Sequence, residues 1–382
     1  MSKRSRRRPL PAPVTGVTIE SLAHDGRGVT HIDGKAVFID GALPGEVVSF
    51  EYTMSRRKFD EGRVTAVQTA SPDRVEPRCA HFGVCGGCSL QHLDSVAQIK
   101  AKQQTLLDNL RHIGKVEPGS LLPPMTGPAW GYRTKGRLGV KDVVKKGRVL
   151  VGFREKRSPY VADLARCEVL HPAVGERLEG LSGLIEQLEV RARIPQIEVA
   201  VASETTALVF RHLDPLTPHD HDVLKQYAMD QGVHVYLQPA GPDTVQLLWP
   251  EKSVLSYTLA SESVVIEFQP TDFTQVNTAI NEQMVARVLE MMSLGETDTV
   301  LDLFCGLGNF TLPLARRAAQ VTGVEGDAGL VARARSNARA NGLGNARFYT
   351  ANLYGDLDRE PWLQGTYHKI LLDPPRTGAL EV

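Results

Sequence analysis

The segment TDTVLDLFCGLGNFTLPLARRAAQVTGVEGD constrains the fold more than any other part of this chain. An apolar strand, Val300 to Leu303, runs into Gly306 and Gly308 and then a helical run, and a second apolar strand ends at Glu325. This is the strand, turn and helix of a nucleotide-binding parallel α/β sheet, in which glycine lets the backbone approach the ligand and an acid about 20 residues on takes the ribose hydroxyls. The helix entry reads G-L-G-N-F rather than the three-glycine dinucleotide form, and Asp302 lies inside the strand. Both features favour S-adenosylmethionine, with NAD or FAD as the alternative. Farther on, Ile370, Leu371 and Leu372 form an apolar strand that runs directly into Asp373, Pro374, Pro375 and Arg376. The carboxyl end of such a strand faces the ligand crevice, so Asp373 is expected beside the reacting groups, on a loop stiffened by the proline pair.

A chain of 382 residues, 42% hydrophobic and 23% charged, has room for two or three packed domains. No apolar run approaches the roughly 18 residues that span a bilayer, and the polybasic N-terminus lacks a signal-type apolar segment, so a cytoplasmic protein with no membrane partner is expected. The net charge of zero averages two unlike halves. Residues 1–160 hold 27 Lys and Arg against 15 Asp and Glu, and the remaining residues 17 against 29. A phosphate backbone would be met by the basic front half, where clustered cations bind by releasing counterions.

Residues 1–13 are basic, proline-punctuated and without apolar periodicity, which predicts a disordered arm. Over residues 14–69 the pattern changes to short strands, VTIESLA, GVTHI, KAVFIDG, EVVSFEYTM and EGRVTAV, separated by Asp-Gly, Pro-Gly and basic turns. Five such strands predict a small OB-like β-barrel, a fold that presents its face and loops to oligonucleotides. The tip Arg56, Arg57, Lys58, with Phe59 and Tyr52 nearby, mixes charge with aromatic surface as single-strand binding requires. The stretch beginning VTIESLAHDGRGVTHIDGKAVFIDGALPGEVV resembles the TRAM domain, a small RNA-binding barrel attached to RNA-modifying enzymes. A helix is expected over Gln98–His112, and the strands GRLGV, RVLVGF, QIEVAVAS, ALVF, VHVYLQ and VQLLW predict a mixed sheet domain over 70–269. From 270 to 382, helix and strand alternate as in a parallel α/β sheet.

Cys79, Cys85 and Cys88 are spaced C-x5-C-x2-C beside Gly83, Gly86 and Gly87, and Cys167 can supply a fourth thiolate. In a reducing compartment such a set points to metal, and four thiolates hold either zinc or an iron–sulfur cluster.

The cysteine spacing resembles the iron–sulfur ribosomal RNA uracil-5-methyltransferases, as do D-P-P-R at 373–376 and Phe273, Gln275 and Asn277 in FTQVN, so the resemblance covers essentially the whole chain. It implies a multidomain α+β fold: TRAM RNA-binding barrel over 14–69, an iron–sulfur and central RNA-binding domain of mixed β structure over 70–269, and an incomplete Rossmann-like methyltransferase domain over 270–382. It also implies a [4Fe-4S] cluster on Cys79, Cys85, Cys88 and Cys167, and S-adenosylmethionine lined by Gln275, Phe304, Asn309, Glu325, Asn352 and Asp373. Glu325 would hold the ribose, Asn352 the adenine edge, and Gln275 with Asp373 the methionine end. The implied activity is methylation of carbon 5 of a uridine in 23S ribosomal RNA by a monomer with no obligate protein partner. In such enzymes a thiolate adds to carbon 6, the resulting enolate takes the methyl group, and a base removes the carbon-5 proton before elimination. In the resembled family the nucleophilic Cys and the base Glu lie tens of residues beyond D-P-P-R. This chain stops at Val382, so a C-terminally truncated sequence, inactive by itself, is expected. Cys305 is not the expected nucleophile. A non-catalytic RNA-binding module is the alternative reading, together with a methyltransferase acting on another ribosomal or transfer-RNA site. A radical enzyme is disfavoured because the spacing is not C-x3-C-x2-C.

Overall fold

The computed structural model describes residues 10–355 and 357–380. The arm expected over 1–13 lies outside the described residues as far as residue 9. Two compact units are present: Met1–Pro124 with Phe153–Ala162, and Met125–Gly152 with Asp163–Val382. They divide the chain elsewhere than the expected boundaries at 69/70 and 269/270.

In the first unit β1 (Val14–Thr18), β2 (Ser21–Leu22), β3 (Gly28–Ile32), β4 (Lys35–Asp40), β5 (Val47–Ser55) and β6 (Phe59–Thr69) form one sheet ordered β1-β5-β6-β4-β3-β2. The β4–β6 pair is parallel and the others antiparallel. Alternate residues Val37 and Ile39 of β4, and Val48, Phe50 and Tyr52 of β5, turn into a common core, as a strand period of two requires. The run VTIESLA, expected as one strand, is broken at Ile19, which drops into that core while its N–H bonds Glu46 O at 2.9 Å. Tyr52 is likewise buried, edge-to-face on Phe50, rather than displayed beside the exposed Arg56–Lys58 tip. Phe59 packs on Phe38 with the Arg56 guanidinium 5.7 Å from its ring centroid.

The fully buried Glu46 closes this unit. Its carboxylate accepts from Arg74 Nε at 2.5 Å and from the Leu43 and Ser71 amides, and Arg74 also donates to Gly41 O. Burial pushes the Glu46 carboxyl up, but Arg74 and the two amides outweigh it and hold it below the usual range. α1 (Ser95–Asn109) starts three residues before the expected helix because the Asp94 side chain caps the Val96 and Ala97 amides; its last turn widens into a π turn over Leu110–Gly114.

The second unit contains β7 (Lys135–Val143), β8 (Arg148–Gly152), α2 (Pro172–Gly175), α3 (Leu178–Glu186), β9 (Gln196–Val201), β10 (Thr206–Arg211), α4 (Pro218–Gln231), β11 (His234–Gln238) and β12 (Gln246–Trp249). All six predicted strands join one mixed sheet, β12-β11-β10-β9-β7-β8, in which only β10–β11 is parallel. A hairpin of β13 (Leu255–Leu259) and β14 (Val264–Phe268) follows. The remainder is α5 (Thr278–Met292), β15 (Thr299–Leu303), α6 (Thr311–Ala315), β16 (Gln320–Glu325), α7 (Ala328–Ala340), β17 (Ala346–Thr350) and β18 (Lys369–Leu372). Its four strands are all parallel, in the order β17-β16-β15-β18. The expected division at 269/270 crosses a continuous core: Ala207, Val209 and Tyr236 of the mixed sheet cluster with Ile266, Phe268, Val285, Val300 and Val321. β18 is an edge strand, with Ile370 61% exposed. Among the described residues no helix is long and apolar enough to cross a membrane.

Replacing Arg74 by Ala strands the buried Glu46 carboxylate. The expected cost is about 3–5 kcal/mol above pH 5, shrinking as pH falls and the carboxyl protonates, read as a shift in denaturant unfolding of the first unit. A shift under about 1 kcal/mol would show that the pair is not what closes it.

Candidate functional site

Between their ends β15 and β16 are buried on both faces: α5, α6 and α7 pack with Val300 and Val321 on one, and Leu353 and Trp362 cover Leu301, Leu303 and Val324 on the other. The register pairs Leu303 with Val324 on one side and with Leu372 on the other, so Phe304, Glu325 and Asp373 leave the sheet together at its carboxyl edge. Thr350, at the end of β17, pairs with Glu325 and brings Asn352 to the same edge. The order reverses at β15, with β16 and β17 to one side and β18 to the other, which is where open α/β sheets bind ligands.

The turn after β15 has positive φ at three residues, Phe304, Gly306 and Gly308. Gly306 has φ +54°, where a glycine is at ease, but Phe304 has φ +64°, which is strained for a side chain of its size. Glu325 holds the turn: its Oε2 accepts the Gly306 N–H at 3.1 Å and its Oε1 those of Gly326 and Asp327 at 2.7 and 3.2 Å. The expected helix beyond the turn shortens to the five residues of α6.

Asp302 is 1% exposed, and its Oδ2 accepts the Thr311 hydroxyl at 2.5 Å while Oδ1 has no partner among the described residues. Burial pushes this carboxyl up to about 7, Thr311 offsets part of the rise, and the charges of Asp373 and Glu325 add to it. Burial also raises the Asp373 carboxyl. Three carboxyl groups at or next to one strand edge favour a cationic charge nearby. An apolar patch of Leu303, Val324, Leu353 and Trp362, with Phe304 packed against it, adjoins the acids, and the Phe304 ring lies 5.9 Å from that of Tyr354. Asp302 was visible in the sequence only as an acid inside an apolar strand.

Asn309 and Gln275 are arranged differently. The Asn309 side chain forms a reciprocal amide pair with Asn281 at 2.8 and 2.9 Å and accepts from the Tyr257 hydroxyl, which pins α5 to the turn. Gln275 is half-buried in the loop before α5, two residues from Asn277, whose side chain caps that helix. Asn352 is exposed and folds its carbonyl onto the Tyr354 N–H at 3.2 Å. Cys305 is buried, and burial together with Asp302 and Glu325 raises its thiol well above the usual range, so it stays protonated.

The cysteine loop belongs to the first unit. Cys79 N–H donates to Gln91 Oε1, Cys85 N–H to His81 O, and Gly86 N–H to Arg154 O at 2.8 Å. A Cβ at Gly86 would lie 2.9 Å from that same carbonyl, so only glycine allows the approach. Gly87 N–H points at Cys85 Sγ at 3.4 Å; in the second unit Leu170 N–H points at Cys167 Sγ at 3.5 Å. Amides aimed at sulfur stabilise thiolates and tune clusters. No disulfide joins these cysteines, and among the described residues no three His, Cys, Asp or Glu side chains converge to hold a metal ion. In its chemistry the donor set fits a thiolate-bound group.

Comparison with known proteins agrees with this layout. A family model described as tRNA (Uracil-5-)-methyltransferase matches residues 190–353, and one described as TRAM domain matches residues 14–65. The structure of Pyrococcus abyssi tRNA (uracil-54, C5)-methyltransferase in complex with S-adenosyl-L-homocysteine superposes with a TM-score of 0.71 over 96% of this chain and 84% of that one, at 22% identity. The fold is that of an S-adenosylmethionine-dependent RNA methyltransferase. The 23S rRNA (uracil(1939)-C(5))-methyltransferase RlmD of Methylococcus capsulatus is 54% identical over 383 residues, covering 100% of this chain and 86% of its own. Its namesake in Nitrosococcus oceani is 54% identical over 382 residues, covering 100% and 85%. The chain belongs to the 23S rRNA (uracil(1939)-C(5))-methyltransferase family.

Were Asp302 to meet the sulfonium, its raised carboxyl would have to ionise, and affinity for S-adenosylmethionine would rise with pH up to about 7 and level off above it, by at most about tenfold per pH unit. The same group makes the ligand-free protein less stable as pH rises from the ordinary carboxylate range through 7. Calorimetric titration from pH 5.5 to 8.5 checks this, and a profile as flat as that of Asp302→Asn would remove Asp302 from the site.

Proposed function

We propose that this protein transfers the methyl group of S-adenosylmethionine to carbon 5 of the 23S ribosomal RNA uridine for which its relatives are named, acting as a monomer in the cytoplasm. The observation that carries the reading is the convergence of Asp302, Glu325 and Asp373 on one strand edge, with one buried carboxylate oxygen unpartnered among the described residues. Glu325, already fixed by three backbone amides, is oriented to take the ribose hydroxyls. Asp373 and Gln275 face the methionine end, and Asn352 and Phe304 flank the adenine. Asn309 acts as a positioning residue, since its amide is spent on Asn281 and Tyr257. The first-unit sheet, with Arg56, Arg57 and Lys58 exposed at the β5–β6 tip, meets the RNA backbone. The nucleophile is not Cys305, because a buried thiol held protonated between carboxylates makes a poor attacking group.

Glu325→Ala is expected to weaken S-adenosylmethionine binding by about 10- to 100-fold, the loss of hydrogen bonds to a charged group. The unaltered protein with bound cofactor is expected to bind a 23S ribosomal RNA fragment in preference to DNA of the same sequence. Protein that folds but binds neither ligand would refute the reading.

We further propose that Cys79, Cys85, Cys88 and Cys167 hold a [4Fe-4S] cluster. When bound, it supplies a covalent tie between distant parts of the sequence. The Gly87 and Leu170 amides aimed at Cys85 and Cys167 support thiolate character there. Protein purified without oxygen is expected to carry about four irons per chain, and Cys85→Ser fewer. One zinc per chain and no iron would replace the cluster with a structural zinc.

A further inference from the structure

The face of the mixed sheet that sends Ala200, Ala207, Val209 and Tyr236 into the shared core turns polar where it leaves it. Gln238 of β11, Arg211 of β10 and Gln196 of β9 stand in one row, Arg211 being paired with both neighbours. Two residues along β9, Glu198 is paired with Arg137 of β7. Directly paired strand residues, and residues two apart, share a face, so all five side chains project to one side. With Thr271 and the 240–242 turn they line a pocket of about 280 Å³.

The polar groups of this pocket are unevenly satisfied. Glu198 Oε1 takes Arg137 Nε at 2.9 Å and Gln196 Nε2 at 3.0 Å, so its charge is met within the sheet. Arg211 is exposed, and among the described residues its side chain has neither an ion-pair nor a hydrogen-bond partner. Gln238 is 6% exposed, and its Oε1 accepts no hydrogen bond from any described residue. A buried amide carbonyl is normally satisfied, and that of Gln238, a residue lining the pocket, reaches what enters by a rotation of its side-chain amide. Two guanidinium groups against one carboxylate suit a ligand that carries one negative charge. The volume exceeds what a lone phosphate needs and lies just below the range of about 300 Å³ and upward that takes small organic groups. Thr271 belongs to the same loop as Gln275, four residues on, so the pocket adjoins the loop assigned to the cofactor.

We propose that this pocket is a subsite for one nucleotide of the substrate RNA flanking the target uridine, with Arg211 on its phosphate and the Gln238 carbonyl on a donor of its base. This rests on the proposed RNA methyltransferase reading and adds to it a place on the mixed sheet where the strand is gripped outside the β5–β6 tip.

The test is fluorescence anisotropy of a labelled 23S ribosomal RNA fragment at several salt concentrations, with S-adenosylmethionine binding and thermal melting measured on the same samples. Arg211→Ala is expected to weaken RNA binding about tenfold and to lower the slope of log affinity against log salt by about 0.7–0.9, one phosphate contact, with cofactor binding and melting unchanged. Gln238→Leu, close in shape, is expected to weaken binding about three- to tenfold with the slope unchanged, since it loses a base contact rather than a phosphate contact. If the parent protein binds RNA and cofactor while Arg211→Ala matches it in affinity and slope, the subsite is wrong and the methyltransferase reading stands. If the parent binds no RNA, the reading beneath it fails. Arg211 is exposed, so its variant keeps the test sound even where Gln238→Leu does not fold.

Discussion

The parallel pairing of β15 with β16 on one side and β18 on the other is the constraint on which the cofactor site depends. It sets Leu303, Val324 and Leu372 level, and the three strands therefore deliver Glu325, Asp373 and the Phe304 turn to one edge. Asp302, one residue short of the end of β15, is carried inward by the strand alternation and loses contact with water. Its carboxyl is then raised both by burial and by the acids that the same register brings near. A neutral ligand would leave that arrangement unrelieved, whereas a cation offsets the desolvation and the repulsion together.

Much of this was legible from residue pattern. The six strands of the mixed sheet were marked by alternating or continuous apolar runs, and the parallel sheet by the strand–glycine–helix segment and the apolar run into Asp373. Long-range satisfaction of polar groups was not legible. Asn309 reads as a turn residue facing a ligand, yet its amide is completed by Asn281, 28 positions away in sequence. Asn337 and Asn341 likewise act as edge partners for β14, bonding the backbone of Glu267 and Val265 and so fixing α7 against the hairpin. Nothing local in N-G-L-G-N announces that. Tyr52 shows the same limit in the first unit: beside a basic turn it reads as surface, but its place in the β5 alternation sends it to the core.

The boundary expected at 269/270 lies across a continuous core for a related reason. A change from strands to alternating helix and strand marks a change of architecture, but the apolar face of the mixed sheet has no cover of its own beyond the hairpin and the α/β layer. Ala200, Ala207, Val209 and Tyr236 are buried only because Phe268, Val285 and their neighbours close over them. Two architectures share a single core there, and composition along the chain cannot report which faces meet.

That shared core also explains why the loop from Gln269 to Asn277 can be both irregular and fixed. Thr134 holds it through the Val276 carbonyl, using both its N–H and its hydroxyl. Asp272 caps the Gln269 amide at 2.7 Å and pairs with Arg333 of α7 at 2.5 Å, while Lys135 reaches the Asp272 carbonyl. Burial pushes the Lys135 ammonium down to about 8, against the pull of Asp272 and Glu198, so this strand cation is only partly repaid for its desolvation. Asn277 finishes the loop by capping α5, whose Asn281 grips the cofactor turn. Anchors from β7, α7 and α5 thus leave little freedom to the residues between them. Gln275 and Thr271 are held at a set spacing, one assigned to the methionine end and the other lining the pocket of Arg211 and Gln238. A nucleotide seated in that pocket would therefore be positioned with respect to the cofactor by the same loop, without a hinge or a moving lid.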